Sequence, residues 1–168
     1  MKTVRLIELF AGYGSQAMAI KRLGIPYESY RVVEFDKYAI NSYNAVHDTK
    51  FPTIDIRDFT GEDLGIVDTD KYNYVMTYSF PCTDLSVAGK MQGMSRDSGT
   101  RSGLFECYRL MDVSDEDALK MLSVNSETQC YKQAGNSIVV SVLMAIFKNL
   151  LLGGSDTTSG QLDIYDLI

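Results

Sequence analysis

Val4-Arg5-Leu6-Ile7-Glu8-Leu9-Phe10-Ala11-Gly12-Tyr13-Gly14-Ser15 is the stretch that decides the fold. Residues 4–9 form a short, largely apolar run of the kind buried as a strand. Gly12 and Gly14 break it, and two glycines at a strand end let the backbone pass close to a ligand. Helical spacing follows over residues 15–23, with Ala17, Ile20 and Leu23 on one side and Gly24 as a C-terminal stop. The exposed N–H groups at such a helix start can bind a ligand, although a plain strand–helix turn has the same pattern. The third glycine of a dinucleotide fingerprint is replaced by Ala17.

Outward from this unit the alternation continues. The sequence predicts strands over residues 30–35, 52–56 and 72–78, and a helix over residues 38–46. Strands alternating with helices predict an α/β parallel sheet, whose ligands bind at strand carboxyl ends. The glycine turn, Glu34, Asp55 and Cys82 all fall at predicted strand ends. Glu34, about 20 residues past the glycines, is placed to accept hydrogen bonds from ribose hydroxyls; the alternative is a solvated carboxylate. Asp55 can meet an adenine amino group or simply cap a turn before Arg57.

Cys82 lies in Tyr78-Ser79-Phe80-Pro81-Cys82-Thr83-Asp84-Leu85-Ser86, just past the run over residues 72–78. A reactive thiolate needs exposure and an electropositive setting. Pro81 before it and Thr83-Asp84 after it fit an exposed turn, whereas a free cysteine is otherwise a small buried hydrophobe. Residues 88–103 are rich in glycine and serine and carry Lys90, Arg96 and Arg101 against a single Asp97. They suit phosphate contact or a surface loop. Beyond them, helices are expected over residues 107–122 and 136–152, with Asn136-Ser137 opening the second, and a polar tail over residues 153–160. The tyrosines at 72, 74 and 78 fit strand packing better than base stacking.

Composition narrows the function classes. The chain has 168 residues, 45% hydrophobic content and a net charge of −6, so any DNA contact must come from a local basic patch rather than global charge. Three widely spaced cysteines (Cys82, Cys107, Cys130) and one histidine argue against a disulfide framework or a metal centre. His47 is expected on the surface, and Cys107 and Cys130 in structural positions. No apolar run reaches the length of a membrane span, and the N-terminus lacks signal-peptide features. The expected setting is cytoplasmic, with no membrane partner.

Taken together, the segments resemble the cytosine-5 DNA methyltransferase family. Glu8-Leu9-Phe10-Ala11-Gly12-Tyr13-Gly14 is similar to its first motif, Val33-Glu34-Phe35-Asp36 to the second, and Asp55-Ile56 to the adenine-contacting pair. Phe80-Pro81-Cys82, with Leu85-Ser86 and Gly89-Lys90, resembles the nucleophile motif. Residues 99–106 resemble the fifth motif, and residues 107–111 leading into 114–117 the ninth. Gln133-Ala134-Gly135-Asn136-Ser137 resembles the tenth, which returns to the cofactor pocket. The resemblance implies a Rossmann-like class I S-adenosylmethionine-dependent methyltransferase fold. It also implies methyl transfer to C5 of cytosine in DNA through a covalent Cys82 adduct, as in restriction-modification systems. Phe10, Ala11, Gly12, Gly14, Ser15, Glu34, Phe35, Asp55, Ile56, Pro81, Asn136 and Ser137 would then hold S-adenosylmethionine. Ser86, Lys90, Gln92, Arg96 and Arg101 would face DNA.

The departures carry equal weight. Thr83 stands where the family has Gln, and the Glu-Asn-Val motif, the Gln-x-Arg-x-Arg motif and the target-recognition region are absent. The fifth motif runs into the ninth at Glu106-Cys107, so a large internal segment is missing and the fold is expected to be incomplete. The expected organisation is residues 1–106 as the cofactor and nucleophile part, 107–152 as a helical part and 153–168 as a tail. The lost glutamate would assist attack at cytosine N3, and acid assistance of that kind contributes typically ~10²–10⁴-fold. Weak activity or none is therefore expected. The alternatives are a non-catalytic cofactor-binding remnant, half of a split enzyme completed by a partner chain, or a nicotinamide-binding domain. The last is disfavoured by Ala17 and by the Pro-Cys pair.

Overall fold

Residues 1–78 and 108–153 are described by the structure, a computed structural model. The decisive stretch forms β1 (Thr3–Leu9), joined by β2 (Tyr27–Val33) and β3 (Tyr72–Tyr78). Among the described residues these make one all-parallel sheet in the order β2-β1-β3. Between β1 and β2 runs α1 (Ser15–Arg22), and α2 (Lys37–His47) follows β2. Past residue 108 come α3 (Asp115–Val124), α4 (Glu127–Gly135) and α5 (Val140–Leu152).

β1 is central because its apolar residues can be covered on both sides. Val4, Leu6 and Ile7 have no exposed surface, and burial of each such side chain contributes about 1.5–3 kcal/mol. One hydrophobic cluster joins β1 and α1 to Tyr108, Met121, Cys130, Val140, Leu143 and Phe147, so the chain beyond residue 108 shares a core with the sheet. α1 packs on α5, and α2 on α3. Cys130 is buried in that core, as expected, and burial raises its thiol pKa.

Tyr72 and Tyr74 of β3 pack as strand residues, whereas Tyr78 is largely exposed. The Arg5 guanidinium lies 3.6 Å from the Tyr72 ring centre and 4.4 Å from that of Tyr30, and donates to the Tyr74 hydroxyl at 2.8 Å. Glu28 closes this cage at 3.2 Å. A cation held over ring faces explains how a strand can carry an arginine inside an apolar run.

Four expectations differ from the structure here. Residues 52–56 form no strand; Ile54 N–H donates to the Glu34 carbonyl at 2.9 Å and a single 3₁₀ turn follows at Ile56–Asp58. Pro52 has no N–H for a ladder, and Asp55 accepts from Arg57 N–H, closing a turn instead. The helix expected over 107–122 is interrupted: residues 108–110 are helical, the chain turns over 111–114, and α3 starts at Asp115. Asp112 has φ 56°, Ser114 caps the Asp117 N–H at 3.1 Å, and three acids fill the first turn, where the helix dipole favours them. Asn136-Ser137 do not open the last helix. They follow α4, whose short and largely polar sequence hid its periodicity, and α5 begins at Val140. The β2 boundary also moves earlier, to Tyr27–Val33, which leaves Glu34 and Phe35 just beyond the strand.

Candidate functional site

The sheet grows from β1 to β2 on one side and then to β3 on the other, so its order reverses at β1. Crevices at such switch points, outside the strand carboxyl ends, are where α/β sheets bind ligands. Phe10 leaves β1 with φ 59°, a left-handed conformation that is strained for an aromatic residue. Its N–H donates to the Val33 carbonyl at 2.9 Å, and its ring meets Tyr78 edge-on at 5.8 Å between centres. Gly12 (φ 58°) and Gly14 (φ 82°) complete the turn, with Gly14 N–H donating to the Ala11 carbonyl at 3.0 Å.

The two glycines are required for different reasons. A Cβ built on Gly12 would meet nothing within 4 Å, so the backbone there borders open space. A Cβ on Gly14 would lie 2.3 Å from His47 Nε2 and 2.6 Å from Tyr43 Cε2. Gly14 is therefore fixed by packing beneath the turn. α1 begins at this glycine with no side-chain cap and no acid in its first turn, which leaves its amino end without an internal anion.

Glu34 closes the crevice from the β2 side. Its carboxylate accepts from Gly12 N–H at 3.0 Å and from Asp36 N–H at 2.9 Å, and the residue is 9% exposed. Those bonds use one site on each oxygen, and a carboxylate offers about four acceptor sites in all. Phe35 beside it is 64% exposed, unusual for a phenylalanine next to a buried acid. Asp55 is brought near by the Ile54–Glu34 backbone bond. It pairs with Arg57 at 2.6 Å, and the Arg57 side chain and backbone N–H hold its pKa down at about 2. From the C-terminal half, the Ser137 hydroxyl reaches the Ser15 hydroxyl at 3.3 Å, while Asn136 is exposed at the end of α4.

Phe10, Ala11, Gly12, Gly14, Ser15, Glu34, Phe35, Asp55, Ile56 and Ser137 thus gather around one sheet edge, with Asn136 adjoining in sequence. Pro81, Cys82, Ser86, Lys90, Gln92, Arg96 and Arg101 lie outside the described residues. Among the described residues no cluster of three potential metal ligands exists, and no single helix is long and apolar enough to cross a membrane.

A buried polar group beneath the turn escaped the sequence reading. Glu8 has no exposed surface, and burial pushes its pKa up to about 7, against the opposing effect of a short hydrogen bond from the Tyr43 hydroxyl. Burial raises the Tyr43 hydroxyl well above its ordinary value, and the neighbouring Glu8 adds to the rise. His47, expected on the surface, packs against Tyr43 with 4.5 Å between ring centres, and Nε2 lies 3.1 Å from the Tyr13 carbonyl oxygen. Burial lowers its pKa to about 4, so the ring is neutral at ordinary pH. The available signal was Glu8 itself, a carboxylate inside an otherwise apolar strand.

A family model described as C-5 cytosine-specific DNA methylase matches residues 4–112. The chain is 28% identical over 171 aligned residues to the type II methyltransferase M2.ScrFI of Lactococcus lactis subsp. cremoris, covering 73% of this chain and 48% of that protein. It is 36% identical over 94 residues to the orphan methyltransferase M.SPBetaI of Bacillus phage SPbeta, covering 56% of this chain and 20% of that one. With the orphan methyltransferase M.SssI of Spiroplasma monobiae it shares 41% identity over 80 residues, 46% of this chain and 19% of that one. The chain therefore spans about half or less of the length of these relatives. No solved structure matches it.

Proposed function

Because this chain belongs to the C-5 cytosine-specific DNA methylase family, we propose that it binds S-adenosylmethionine at the β1 carboxyl edge and descends from an enzyme that methylates C5 of cytosine in DNA. The observation that carries the reading is the Gly12–Glu34 pair. A backbone N–H from the glycine turn and a buried carboxylate at the next strand end meet at 3.0 Å beside open space. The residues fit the cofactor. Glu34 retains acceptor capacity for ribose hydroxyls, the exposed Phe35 ring offers a face for adenine, and Asp55 can accept from the adenine amino group once Arg57 turns away. Phe10, Ala11, Gly14, Ser15, Ile56, Pro81, Asn136 and Ser137 complete the proposed lining.

When bound, S-adenosylmethionine supplies an electrophilic methyl group. Cys82 supplies the nucleophile: its thiolate adds to cytosine C6 and makes C5 electron-rich. C5 would then take the methyl group, with S-adenosylhomocysteine as the leaving group, and transfer of the C5 proton to a base would restore the ring and expel the Cys82 thiolate. Ser86, Lys90, Gln92, Arg96 and Arg101 are the DNA-facing candidates, three of them positively charged and suited to phosphates. The base must leave the duplex to reach Cys82.

The chain by itself is expected to be weakly active or inactive, because no glutamate stands in the Glu-Asn-Val context that assists attack at N3. A second reading, half of a split enzyme or a cofactor-binding remnant, is supported by one comparison. The 171 residues aligned with M2.ScrFI exceed the 73% of this 168-residue chain that takes part. That relative therefore carries residues within the matched stretch for which this chain has no counterpart. Methyl transfer to DNA, measured with and without a chain carrying the Glu-Asn-Val and recognition segments, separates the readings. Activity restored by such a chain and abolished by Cys82→Ala supports the enzyme; no binding of S-adenosylmethionine at millimolar concentration in calorimetry overturns both.

A further inference from the structure

We propose that His47 is a positioning residue for cofactor binding, acting through the Tyr13 carbonyl to hold the Gly12-Tyr13-Gly14 turn in its binding shape. The inference rests on the reading that this turn binds S-adenosylmethionine, and it adds a residue that none of the motif resemblances includes. The Tyr13 carbonyl oxygen lies 3.1 Å from Nε2, and a carbonyl can only accept, so Nε2 carries the proton and donates. The ring fills the space directly under Gly14, where a Cβ would come within 2.3 Å of Nε2. Tyr43 lies against the ring, and its own hydroxyl is anchored on Glu8 inside β1 and lies 2.8 Å from Ser29 Oγ of β2. The support thus runs from two strands, through Tyr43, to an imidazole that grips the middle residue of the turn.

This support adds to the Gly12–Glu34 and Gly14–Ala11 hydrogen bonds by fixing the one carbonyl between the two glycines. Gly12 and Gly14 both sit at positive φ, and Gly12 borders open space. Glycine gives such conformations no preference over their alternatives. A donor fixed to the Tyr13 carbonyl restricts the intervening peptide, which orients the Gly12 N–H toward Glu34 and the amino end of α1 toward the crevice. Protonation is not part of the role: burial keeps the ring neutral, and neutral imidazole still donates from Nε2.

The test uses the full chain and S-adenosylmethionine as the probe, titrated calorimetrically. His47→Leu keeps comparable apolar bulk and removes the donor; His47→Gln keeps a donor at similar reach. Loss of one hydrogen bond of ordinary strength corresponds to about fivefold weaker binding, expected for His47→Leu. His47→Gln is expected to bind within about twofold of the wild type, a rescue that a purely space-filling role does not produce. Equal binding by wild type and His47→Leu overturns the inference and leaves the cofactor reading standing, whereas no binding by the wild type overturns both. Imidazole ¹⁵N shifts of the wild type decide the point even if the variants fail to fold. The Nε2–H tautomer at neutral pH is expected, and the Nδ1–H tautomer overturns the inference.

Discussion

Replacing each turn glycine with alanine separates packing from ligand access in one experiment. At Gly12 the new Cβ enters open space, so the cost is the left-handed backbone alone, about 1–2 kcal/mol. At Gly14 the same backbone cost applies, and the Cβ must also displace His47 and Tyr43 from 2.3 and 2.6 Å. Both rings are held from behind, so they cannot swing aside freely, and overpacking of this kind typically adds about 1–3 kcal/mol. Gly14→Ala should therefore destabilise by about 2–5 kcal/mol, and Gly12→Ala by about 1–2 kcal/mol. For a chain of this length that corresponds to Tm losses of roughly 4–20 °C and 2–8 °C. Urea unfolding and calorimetry give both values. Adding His47→Ala to Gly14→Ala should recover part of the loss, a coupling of about 0.5–3 kcal/mol between neighbours; the Tyr43 edge keeps the recovery incomplete. In binding the order reverses, because the Gly12 Cβ occupies the crevice while the protein stays folded. Equal destabilisation by the two alanines, or additive behaviour of Gly14→Ala with His47→Ala, would refute the packing argument.

Glu8 makes stability depend on pH in an uncommon direction for a carboxylate. Its folded pKa of about 7 lies above its ordinary value, so its proton stabilises the fold below pH 4.5 and that contribution is lost as pH rises to about 7. Wild type should lose on the order of 2–3 kcal/mol between pH 5 and 8 that Glu8→Gln does not lose, and parallel urea curves would contradict this. The Asp55 carboxyl should titrate near 2 by NMR and return toward the usual carboxylate range in Arg57→Ala; an unchanged titration would remove Arg57 as the cause. Gln133 joins α4 to α2 by accepting from the Ser42 hydroxyl at 2.7 Å, in a site that also takes Asn125 at 2.9 Å. Gln133→Ala should cost about 1–3 kcal/mol in thermal unfolding by leaving Ser42 short of a partner, and a neutral result would show that the network is dispensable.

Much of this arrangement is legible along the chain because it depends on neighbours in sequence. The apolar run, the glycines and the helix that follows specify a strand–turn–helix unit through local sterics and hydrogen bonding. Residues 72–78 fall as a strand within the bounds that their aromatic and β-branched content predicts. Local rules fail where a polar side chain redirects the backbone. Asp55 turns residues 52–56 away from a ladder, Ser114 delays α3, and α4 is held by Cys130, Gln133 and Ala134 facing a core that its own sequence does not announce.

The sequence by itself determined the family, the parallel α/β sheet and the glycine turn with its acid at the next strand end. The resemblance of the ordered motifs carries the family, and spacing along strand and helix suffices for the other two. Only the tertiary structure decided why Gly14 must be glycine, where Glu8 goes, and that the half-buried His47 reaches beneath the turn. Tyr13 and His47 are 34 positions apart, and Ser15 and Ser137 are 122 apart. Their contacts arise because α2 and the segment after α4 pack back onto the same end of β1, and no local periodicity encodes which side chains then meet.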